Sequence, residues 1–397
     1  MRIANVVGAR PNLVKIAPLL LEMRQHAEIQ PLLLHTGQHY DEELSDVFFR
    51  QMGIPKPDVN LEVGSGSHAW QTAEILKRVE PFLLEQQPDL VLVVGDVNST
   101  IAASLAAAKL GIQVAHVEAG LRSFDRTMPE EINRVLTDAL ADYLFVTEED
   151  AIENLAREGR PRERTFFVGN VMIDALRLFL PIAQQSRIGD DLGLRDGSAI
   201  RPFAVLTLHR PSNVDSLETL RKLWGAIEAV ADQLPVVFPV HPRTRQKLSD
   251  LQRKDHPQLR LIPSVGYLDF LCLLSRARLV LTDSGGIQEE TTALGVPCLT
   301  LRDNTERPVT VNEGTNQIVG QDPARIVAVA QEILAGKSKT GRVPRLWDGH
   351  AAERIVEVLL REVPRGAGPG PRNLAIAAID DVGAQSAILF NGTSMPL

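Results

Sequence analysis

In the first part of the chain, short apolar runs alternate with stretches whose apolar residues recur at helical spacing. The runs span residues 3–7, 32–35, 90–94, 114–117 and 144–147. Parallel strands need a crossover connection long enough to hold a helix, so this alternation is typical of a parallel sheet. The pattern therefore predicts an α/β fold.

A second series of apolar runs follows a break in the pattern. After Gly169 the sequence shows a helical stretch and then a polar, glycine-containing segment at 186–201. Apolar runs resume at 203–208, 236–240, 259–262, 279–281 and 298–301. A chain of 397 residues is long enough for two domains that each bury a core. We therefore expect one α/β domain over 1–168 and a second over 169–350.

The C-terminal part divides into a helix and a tail. Residues 351–362 place Ile355, Val356, Leu359 and Leu360 on one face, which predicts an amphipathic helix. Residues 364–397 show no sustained period, so we interpret them as a flexible tail.

The composition argues against several classes of protein. A formal net charge of −8 argues against a general binder of nucleic acid or acidic membranes, since affinity for phosphate backbones comes from clustered Lys and Arg. The two cysteines, Cys272 and Cys298, lack the spacing of a metal site or disulfide framework. No apolar run approaches the roughly 20 residues that span a bilayer. Because the first apolar run begins at Ile3, we expect no leader ahead of it. We expect a cytoplasmic protein with no metal.

Charged and polar residues follow the predicted strands. In open α/β sheets, ligands bind beyond the carboxyl ends of the strands. Each residue alone could be an ordinary helix cap or a solvated charge, but together they favour a cleft between two facing units. The residues concerned are Gly8-Ala9-Arg10-Pro11 with Lys15, Gly95-Asp96, Glu118, Arg122, His209-Arg210 and His241-Pro242-Arg243.

The turn Ser284-Gly285-Gly286 lies between an apolar strand and a helix. The unpaired N–H groups of a first helical turn favour an anion, and paired glycines allow a ligand to come close. An ordinary connection with Ser284 as the N-cap explains the turn equally well when it is considered alone. The strand-end residues favour a phosphate site, and Glu290, one turn further on, could bind ribose hydroxyls.

The sequence offers little support for a redox cofactor. Residues 64–69 match a dinucleotide-binding pattern, but no long apolar strand precedes them and no ribose-binding acid is well placed, so we expect a polar loop. A Tyr-x-x-x-Lys pair, which short-chain sugar-nucleotide epimerases use beside nicotinamide, is absent from the sequence. We predict a reaction that needs no cofactor.

The longest motifs point to a family. From Arg2 to about Glu362, the chain resembles the non-hydrolysing UDP-N-acetylglucosamine 2-epimerases. The resemblance implies two Rossmann-like domains facing across a cleft (the GT-B fold), a first domain completed by the helix at 351–362, and a homodimer. Besides Gly8 to Lys15 and 282–290, the motifs are Thr36-Gly37-Gln38-His39-Tyr40, 95–100, 116–123, 128–134, His209-Arg210, His241-Pro242 and 302–308.

The family reaction inverts C2 of the sugar, converting UDP-GlcNAc to UDP-ManNAc. It is understood to eliminate UDP, leaving 2-acetamidoglucal, and then to add UDP back with the proton on the opposite face. By matched position, the resemblance makes Asp96, Glu118 and Glu130 the acid–base group, with His209 near the leaving diphosphate. It assigns the substrate contacts to Arg10, Lys15, His241, Ser284, Gly285, Gly286, Glu290 and Arg307.

Some positions depart from the usual family pattern. Asn12 stands where glutamate is common and Val97 where threonine is common. The short spacing between Glu118 and Glu130 also occurs in relatives that act on UDP-diacetamido-glucuronic acid, whereas the run 305–308 favours UDP-GlcNAc. In many bacterial members a second UDP-GlcNAc activates the enzyme at a site that includes the Gln-His turn, here Gln38-His39, and His241.

Three other functions remain open at this stage. A hydrolysing relative would release free ManNAc and UDP. A GT-B glycosyltransferase would share the Ser-Gly-Gly turn and the ribose-binding acid, but the carboxylates in the other domain exceed what sugar transfer requires. A sugar-nucleotide sensor would bind without turnover, which the complete acid–base set disfavours.

Overall fold

The computed structural model describes residues 1–37, 53–196, 199–251 and 255–364, without the side chains of Arg10, Asp196, Pro242 and Arg243. The Gln38-His39 turn and nearly all of the predicted tail lie outside these ranges. No helix in the described ranges has both the length and the apolar composition that a membrane-spanning segment needs.

The first part of the chain forms a seven-stranded sheet with helices between its strands. Its strands are β1 (Arg2–Val7), β2 (Gln30–His35), β3 (Val59–Asn60), β4 (Leu90–Val94), β5 (Gln113–Val117), β6 (Tyr143–Val146) and β7 (Thr165–Phe167). Its helices are α1 (Arg10–Met23), α2 (His68–Gln86), α3 (Asn98–Lys109), α4 (Pro129–Leu140) and α5 (Glu149–Arg157), with a short 3-10 helix at Arg162–Arg164.

The second part forms a six-stranded sheet. Helices α6 (Val171–Ala183) and α7 (Ile188–Asp191) and the hairpin β8 (Arg195–Asp196) and β9 (Ala199–Ile200) precede it. Its strands are β10 (Ala204–Thr207), β11 (Val236–Val240), β12 (Leu259–Pro263), β13 (Leu279–Thr282), β14 (Cys298–Thr300) and β15 (Asn316–Ile318). The helices that follow are α8 (Pro211–Val214), α9 (Leu217–Ala231), α10 (Pro242–Asp250), α11 (Tyr267–Arg276), α12 (Gly285–Leu294), α13 (Pro308–Asn312), α14 (Pro323–Leu334) and α15 (Ala351–Glu362).

Both sheets have a doubly wound topology. The strand order is 3-2-1-4-5-6-7 in the first sheet and 12-11-10-13-14-15 in the second, and all pairs within them are parallel. Central strands such as β4 are apolar and buried along their whole length, as expected where helices cover both faces. In each sheet the order reverses beside its first strand, β1 or β10, and ligands bind at such a switch point.

The last helix returns to the first sheet. Helix α15 buries Ile355, Val356 and Leu359, and these side chains belong to the same core as Leu13 of α1 and Leu176 of α6. Ahead of it, the indole of Trp347 is fully buried and donates a hydrogen bond to the carbonyl oxygen of Thr147, 3.0 Å away. The predicted amphipathic helix is therefore confirmed, with the same bounds.

Several short elements differ from the sequence prediction. Strands β3, β7 and β15 were not predicted, because they are two or three residues long and carry polar or half-buried side chains. The segment 186–201, expected to be irregular, holds α7 and the β8–β9 hairpin. The two sheets confirm the α/β fold, whereas the domain boundaries at 168 and 350 stay a prediction.

Candidate active site

A cleft of about 410 Å³ lies where the carboxyl ends of the two sheets face each other. Elements from both parts of the chain line it, including the loop after β4, α1, α11, α12 and the loop before α13. Most of the predicted site residues meet there. Those lining the cleft are Lys15, Asp96, His209, Ser284, Gly285, Gly286, Glu290 and Arg307.

Three other predicted residues, Glu118, Glu130 and His241, do not line this cleft. Glu118 is buried behind Lys15 and Arg307, while Glu130 lies at the start of α4 and contacts the cleft through Arg210. His241 is exposed at the end of β11. The side chain of Arg10, at the start of α1, lies outside the described residues, so its predicted contact stays a prediction.

Asp96 is held at the end of β4 by helix α4. Its carboxylate forms an ion pair with Arg134, and its backbone carbonyl accepts a hydrogen bond from the Asn133 amide at 2.9 Å. Burial alone would raise the pKa of Asp96, but the charges of Arg134, Lys15 and Arg307 lower it below its ordinary value. Asp96 is therefore ionised at neutral pH and, with 28% of its side chain exposed, can accept a proton from a ligand in the cleft.

Glu118 carries a buried charge between two cations. Its Oε2 lies 2.6 Å from Lys15 Nζ and 3.5 Å from Arg307 Nη2, whereas its Oε1 is buried without a hydrogen-bond partner. The backbone of Glu118 has φ of 72°, a left-handed conformation that side-chain-bearing residues seldom adopt. Strain of this kind is common at functional sites, where the surrounding structure must hold it in place.

Arg307 joins carboxylates from both parts of the chain. Its guanidinium lies 2.6 Å from Glu289 of α12 as well as 3.5 Å from Glu118 of the first sheet. The Asn170 amide donates to Glu289 at 2.8 Å. Burial raises the pKa of Glu289; Arg307 opposes this shift and the nearby charge of Glu118 adds to it. The loop before α13 thus places a cation between the two sheets.

A second bridge between the two parts involves Arg210. Its guanidinium lies 3.2 Å from Glu130 and 3.9 Å from Glu306. Arg302 pairs with Glu306 at 2.8 Å. Burial opposes ionisation of Glu306, but Arg302, Arg307 and Arg134 together lower its pKa strongly. Paired cations and carboxylates from both parts of the chain therefore surround the cleft.

Asp283 positions the loop that carries His209. Its buried carboxylate accepts hydrogen bonds from the backbone N–H groups of His209 and Arg210, at 3.0 and 2.9 Å, and from the Asn213 amide at 3.1 Å. His209 Nδ1 lies 2.8 Å from the other carboxylate oxygen. About half of the His209 side chain is exposed, so the imidazole is accessible in the cleft while Asp283 fixes its orientation.

The Ser-Gly-Gly turn directs the first turn of α12 into the cleft. Strand β13 ends at Thr282 and the helix begins at Gly285, with Ser284 as its N-cap residue. A side chain at Gly285 would place its Cβ 2.3 Å from Glu306 Oε1, so this glycine is needed for close packing against a protein carboxylate. The predicted strand, turn and helix are confirmed, and their arrangement suits an anionic group.

Glu290 lies on the same wall of the cleft, one turn into α12. The hydroxyl of Tyr267 donates a hydrogen bond to its Oε1 at 2.9 Å. Burial raises the pKa of Glu290 to about 7, even though the hydrogen bond from Tyr267 lowers it. Glu290 thus changes its charge near neutral pH, in a position where it can accept hydrogen bonds from a ligand.

Several residues that organise the site were not singled out from the sequence. Arg134, Asp283, Glu289 and Glu306 each hold a cleft residue or its loop through an ion pair or hydrogen bond. Asp283 could have been found, because it directly follows an apolar strand. Among the described residues, no cluster of three or more His, Cys, Asp or Glu side chains is placed to hold a metal ion.

Comparison with known proteins identifies the relatives of this architecture. The family model described as UDP-N-acetylglucosamine 2-epimerase matches residues 21–360. A protein of that name from Methanocaldococcus jannaschii is 41% identical over 90% of this chain and 99% of its own length. A solved structure of the M. jannaschii UDP-GlcNAc 2-epimerase in complex with UDP-GlcNAc and UDP has a TM-score of 0.84, at 41% identity, and the match covers 91% of this chain and all of that one.

A relative with another substrate is equally similar in sequence. The UDP-2,3-diacetamido-2,3-dideoxy-D-glucuronate 2-epimerase of Pseudomonas aeruginosa is 41% identical over 91% of this chain and 100% of its own length. Overall identity therefore does not distinguish the two substrates.

The carboxyl group of Glu290 is expected to titrate with a midpoint near pH 7, because burial raises its pKa. Tyr267→Phe should move the midpoint higher, since it removes the hydrogen bond that stabilises the ionised form. Carbon NMR of protein labelled at the glutamate carboxyl carbons would measure both midpoints, with Glu290→Gln used to assign the resonance. A midpoint close to that of an ordinary glutamate would contradict this prediction.

Proposed function

This chain belongs to the UDP-N-acetylglucosamine 2-epimerase family, and we propose that it reversibly inverts C2 of UDP-GlcNAc to give UDP-ManNAc. The observation that carries the proposal is the composition of the cleft. One wall presents a helix N-terminus and Glu290, which suit a diphosphate and a ribose, and the opposite wall presents Asp96. A nucleotide sugar presents its ribose, diphosphate and sugar in the matching order, with the sugar nearest Asp96. The substrate named for the M. jannaschii relative supports the same assignment.

We propose that the reaction proceeds through elimination and re-addition. A carboxylate removes the C2 proton while the bond between C1 and the diphosphate oxygen breaks, so that UDP leaves with the electron pair and 2-acetamidoglucal remains. UDP then adds back to C1, and a proton is delivered to C2 from the opposite face. Carbon, oxygen and proton counts balance, and no oxidant or reductant is consumed.

Asp96 and Glu118 are suited to the proton transfers. The charges of three cations lower the pKa of Asp96 and keep it in the ionised form that can accept a proton, and Glu118 has a buried oxygen with no partner. His209, held by Asp283, would assist at the leaving diphosphate. Glu130 would join the acid–base group only with movement around Arg210, with which it pairs in this structure.

The substrate contacts follow the two walls of the cleft. Ser284, Gly285 and Gly286, with Arg10, would bind the diphosphate and the uridine side, and Glu290 would bind the ribose. Lys15 and Arg307 would lie along the sugar and stabilise negative charge that develops as UDP leaves. His241 would contribute to the second, activating nucleotide site that occurs in many bacterial members. A closed cleft would retain the glycal intermediate.

The main alternative substrate is the diacetamido-uronate of the P. aeruginosa relative. Its additional carboxylate would need a cation in the cleft. Among the described residues of the cleft region, Lys15, Arg134, Arg210 and Arg307 are each paired with a protein carboxylate. The pairing opposes every anionic group equally and does not separate the two substrates, whereas the run 305–308 favours UDP-GlcNAc.

Proton NMR of the protein incubated with UDP-GlcNAc in heavy water tests the proposed function. We expect UDP-ManNAc to appear with deuterium at C2, and deuterium to enter UDP-GlcNAc as the reaction reverses. Free ManNAc and UDP would instead identify a hydrolysing enzyme. An unchanged spectrum, followed by turnover of the diacetamido-uronate, would assign that substrate.

Asp96→Asn should lower kcat by about 100-fold or more, because it removes a proton acceptor. Its affinity for UDP should stay near that of the wild type. Glu290→Ala is the matched control from the opposite wall, and it should weaken nucleotide binding about 10- to 100-fold, since charge-assisted hydrogen bonds to the ribose are lost. Steady-state kinetics and calorimetry with UDP measure the two effects. Normal turnover in Asp96→Asn would remove Asp96 from the catalytic group.

We further propose that the protein is a homodimer that pairs through helix α4. Ile132 and Leu136, one turn apart on its outer face, are 42% and 48% exposed, and the exposed Phe124 lies in the loop before this helix. Exposed apolar side chains at helical spacing are suited to burial against a second copy.

Leu136→Asp should convert the dimer to a monomer, because it would place a charge in the apolar contact. Light scattering during size-exclusion chromatography gives the mass directly. Leu217→Asp, which changes a similarly exposed leucine in the second part of the chain, is the control and should leave the mass unchanged. A dimer that persists in Leu136→Asp would place the interface elsewhere.

A further inference from the structure

Two buried residues connect the loops that carry Asp96 and Glu118. His116 lies in β5 and Asp138 lies in α4, and neither side chain is accessible to solvent. Neither residue lines the cleft, so neither can touch a bound substrate in this structure. Their hydrogen bonds instead reach the backbone beside two candidate acid–base residues: His116 contacts Gly95, just before Asp96, and Asp138 contacts Gly120, just after Glu118.

His116 holds the loop before Asp96. Its Nε2 lies 2.9 Å from the carbonyl oxygen of Gly95, and its Nδ1 lies 2.6 Å from Oδ1 of Asp138. A carbonyl oxygen only accepts hydrogen bonds, so Nε2 is the donor. The N–H of Gly95 also donates to the carbonyl of Val117 at 3.0 Å. The N–H and the carbonyl oxygen of Gly95 are therefore both hydrogen-bonded to residues of β5.

Asp138 holds the loop after Glu118. Its Oδ2 accepts a hydrogen bond from the N–H of Gly120 at 3.0 Å and from Arg122 Nη2 at 2.7 Å. Although burial would raise the pKa of Asp138, the charges of His116 and Arg122 lower it, so this carboxylate is ionised. One carboxylate thus supports both His116 and the turn that follows Glu118.

The supported loops include one residue whose backbone conformation needs external support. Gly95, Glu118 and Gly120 have φ values of 72°, 72° and 80°, in the left-handed region, which glycine adopts freely but glutamate seldom does. A Cβ at Gly95 would lie 3.5 Å from Lys15 Nζ and 3.6 Å from Glu118 Oε2, so the Gly95 backbone packs against this ion pair. A small displacement of Gly95 would therefore move both Asp96 and the surroundings of Glu118.

We propose that His116 and Asp138 are positioning residues that fix the relative placement of the Asp96 and Glu118 carboxylates. The inference rests on the proposed function, because it assigns these residues to the proton-transfer step of that reaction. They act through the backbone of Gly95 and Gly120, and the hydrogen bond from His116 to Gly95 is the contact on which the geometry of Asp96 depends.

Two amide substitutions separate the hydrogen bonds of His116. In His116→Gln, the amide nitrogen can occupy the place of Nε2 and donate to Gly95. In His116→Asn, the shorter side chain can reach Asp138 but not Gly95. We expect His116→Asn to lower kcat about 10- to 100-fold, with little change in KM, because misplaced catalytic groups affect the chemical step. His116→Gln should retain a large part of the wild-type kcat.

Controls distinguish positioning from a general loss of stability. Tyr143→Phe removes another hydrogen bond of the same sheet, from the Tyr143 hydroxyl to the carbonyl of Glu362, and should leave kcat near the wild-type value. Melting temperatures and UDP affinity are measured for every variant. Equal losses of kcat in His116→Gln and His116→Asn, in proportion to lost stability, would overturn the proposal. If His116→Asn does not fold, Asp138→Asn is compared with Tyr143→Phe, and an unchanged kcat there would also overturn it.

Crystal structures of the His116 variants keep this inference separate from the proposed function. Absence of turnover in the wild type would contradict the proposed function only. In that case, the positions of Gly95 and Asp96 decide the inference. We expect them to shift in His116→Asn and to remain in place in His116→Gln, and an unmoved Gly95 in His116→Asn would be the contrary result.

Discussion

The buried guanidinium of Arg307 is the constraint on which the arrangement of this protein depends. It lies between Glu289 of α12 and Glu118, which directly follows β5, and Lys15 neutralises Glu118 from the other side. A buried ion that loses its partner costs several kcal/mol, so these charges are tolerated only together. Each part pairs its own charges, Arg307 with Glu289 and Lys15 with Glu118, and the 3.5 Å contact between Arg307 and Glu118 joins the two parts. This contact requires the two sheets to face each other with their strand ends close, which is also the arrangement that creates the cleft.

Helix α4 extends this constraint into the first sheet. Glu130, Arg134 and Asp138 are four residues apart and therefore lie along one face of the helix. Each contacts a different structure: Glu130 pairs with Arg210 of the second part, Arg134 with Asp96, and Asp138 with His116 and the Gly120 turn. The helix thus couples the contact between the two parts to the loops that carry the candidate acid–base residues. Its outer face carries the apolar side chains proposed to meet a second copy.

The sequence predicted which residues meet in the cleft better than it predicted their burial and their ion pairs. Residues after buried parallel strands converge because of sheet geometry, so Asp96, His209 and the Ser284 turn could be placed from the pattern alone. Glu118 was also placed at a strand end, but its burial behind Lys15 and Arg307 depends on contacts between residues far apart in the chain. Strand β15 has the sequence Asn-Gln-Ile, which carries too little apolar character to be recognised. Asp138 lies within a helix, and only the tertiary structure shows that it supports His116.

The ion pairs also link substrate binding to proton affinity. A diphosphate entering the cleft would attract the cations that now neutralise carboxylates, among them Lys15, Arg210 and Arg307. A carboxylate that loses part of its positive environment gains proton affinity, because nearby cations are what favour its ionised form. Asp96 would be affected most directly, since Lys15 and Arg307, two of the three cations that lower its pKa, line the cleft with it. In the proposed reaction, substrate binding would therefore increase the basicity of the group that must receive the C2 proton. The ion pairs that connect the two parts of the chain would then also set the proton affinity of the carboxylate in the cleft between them.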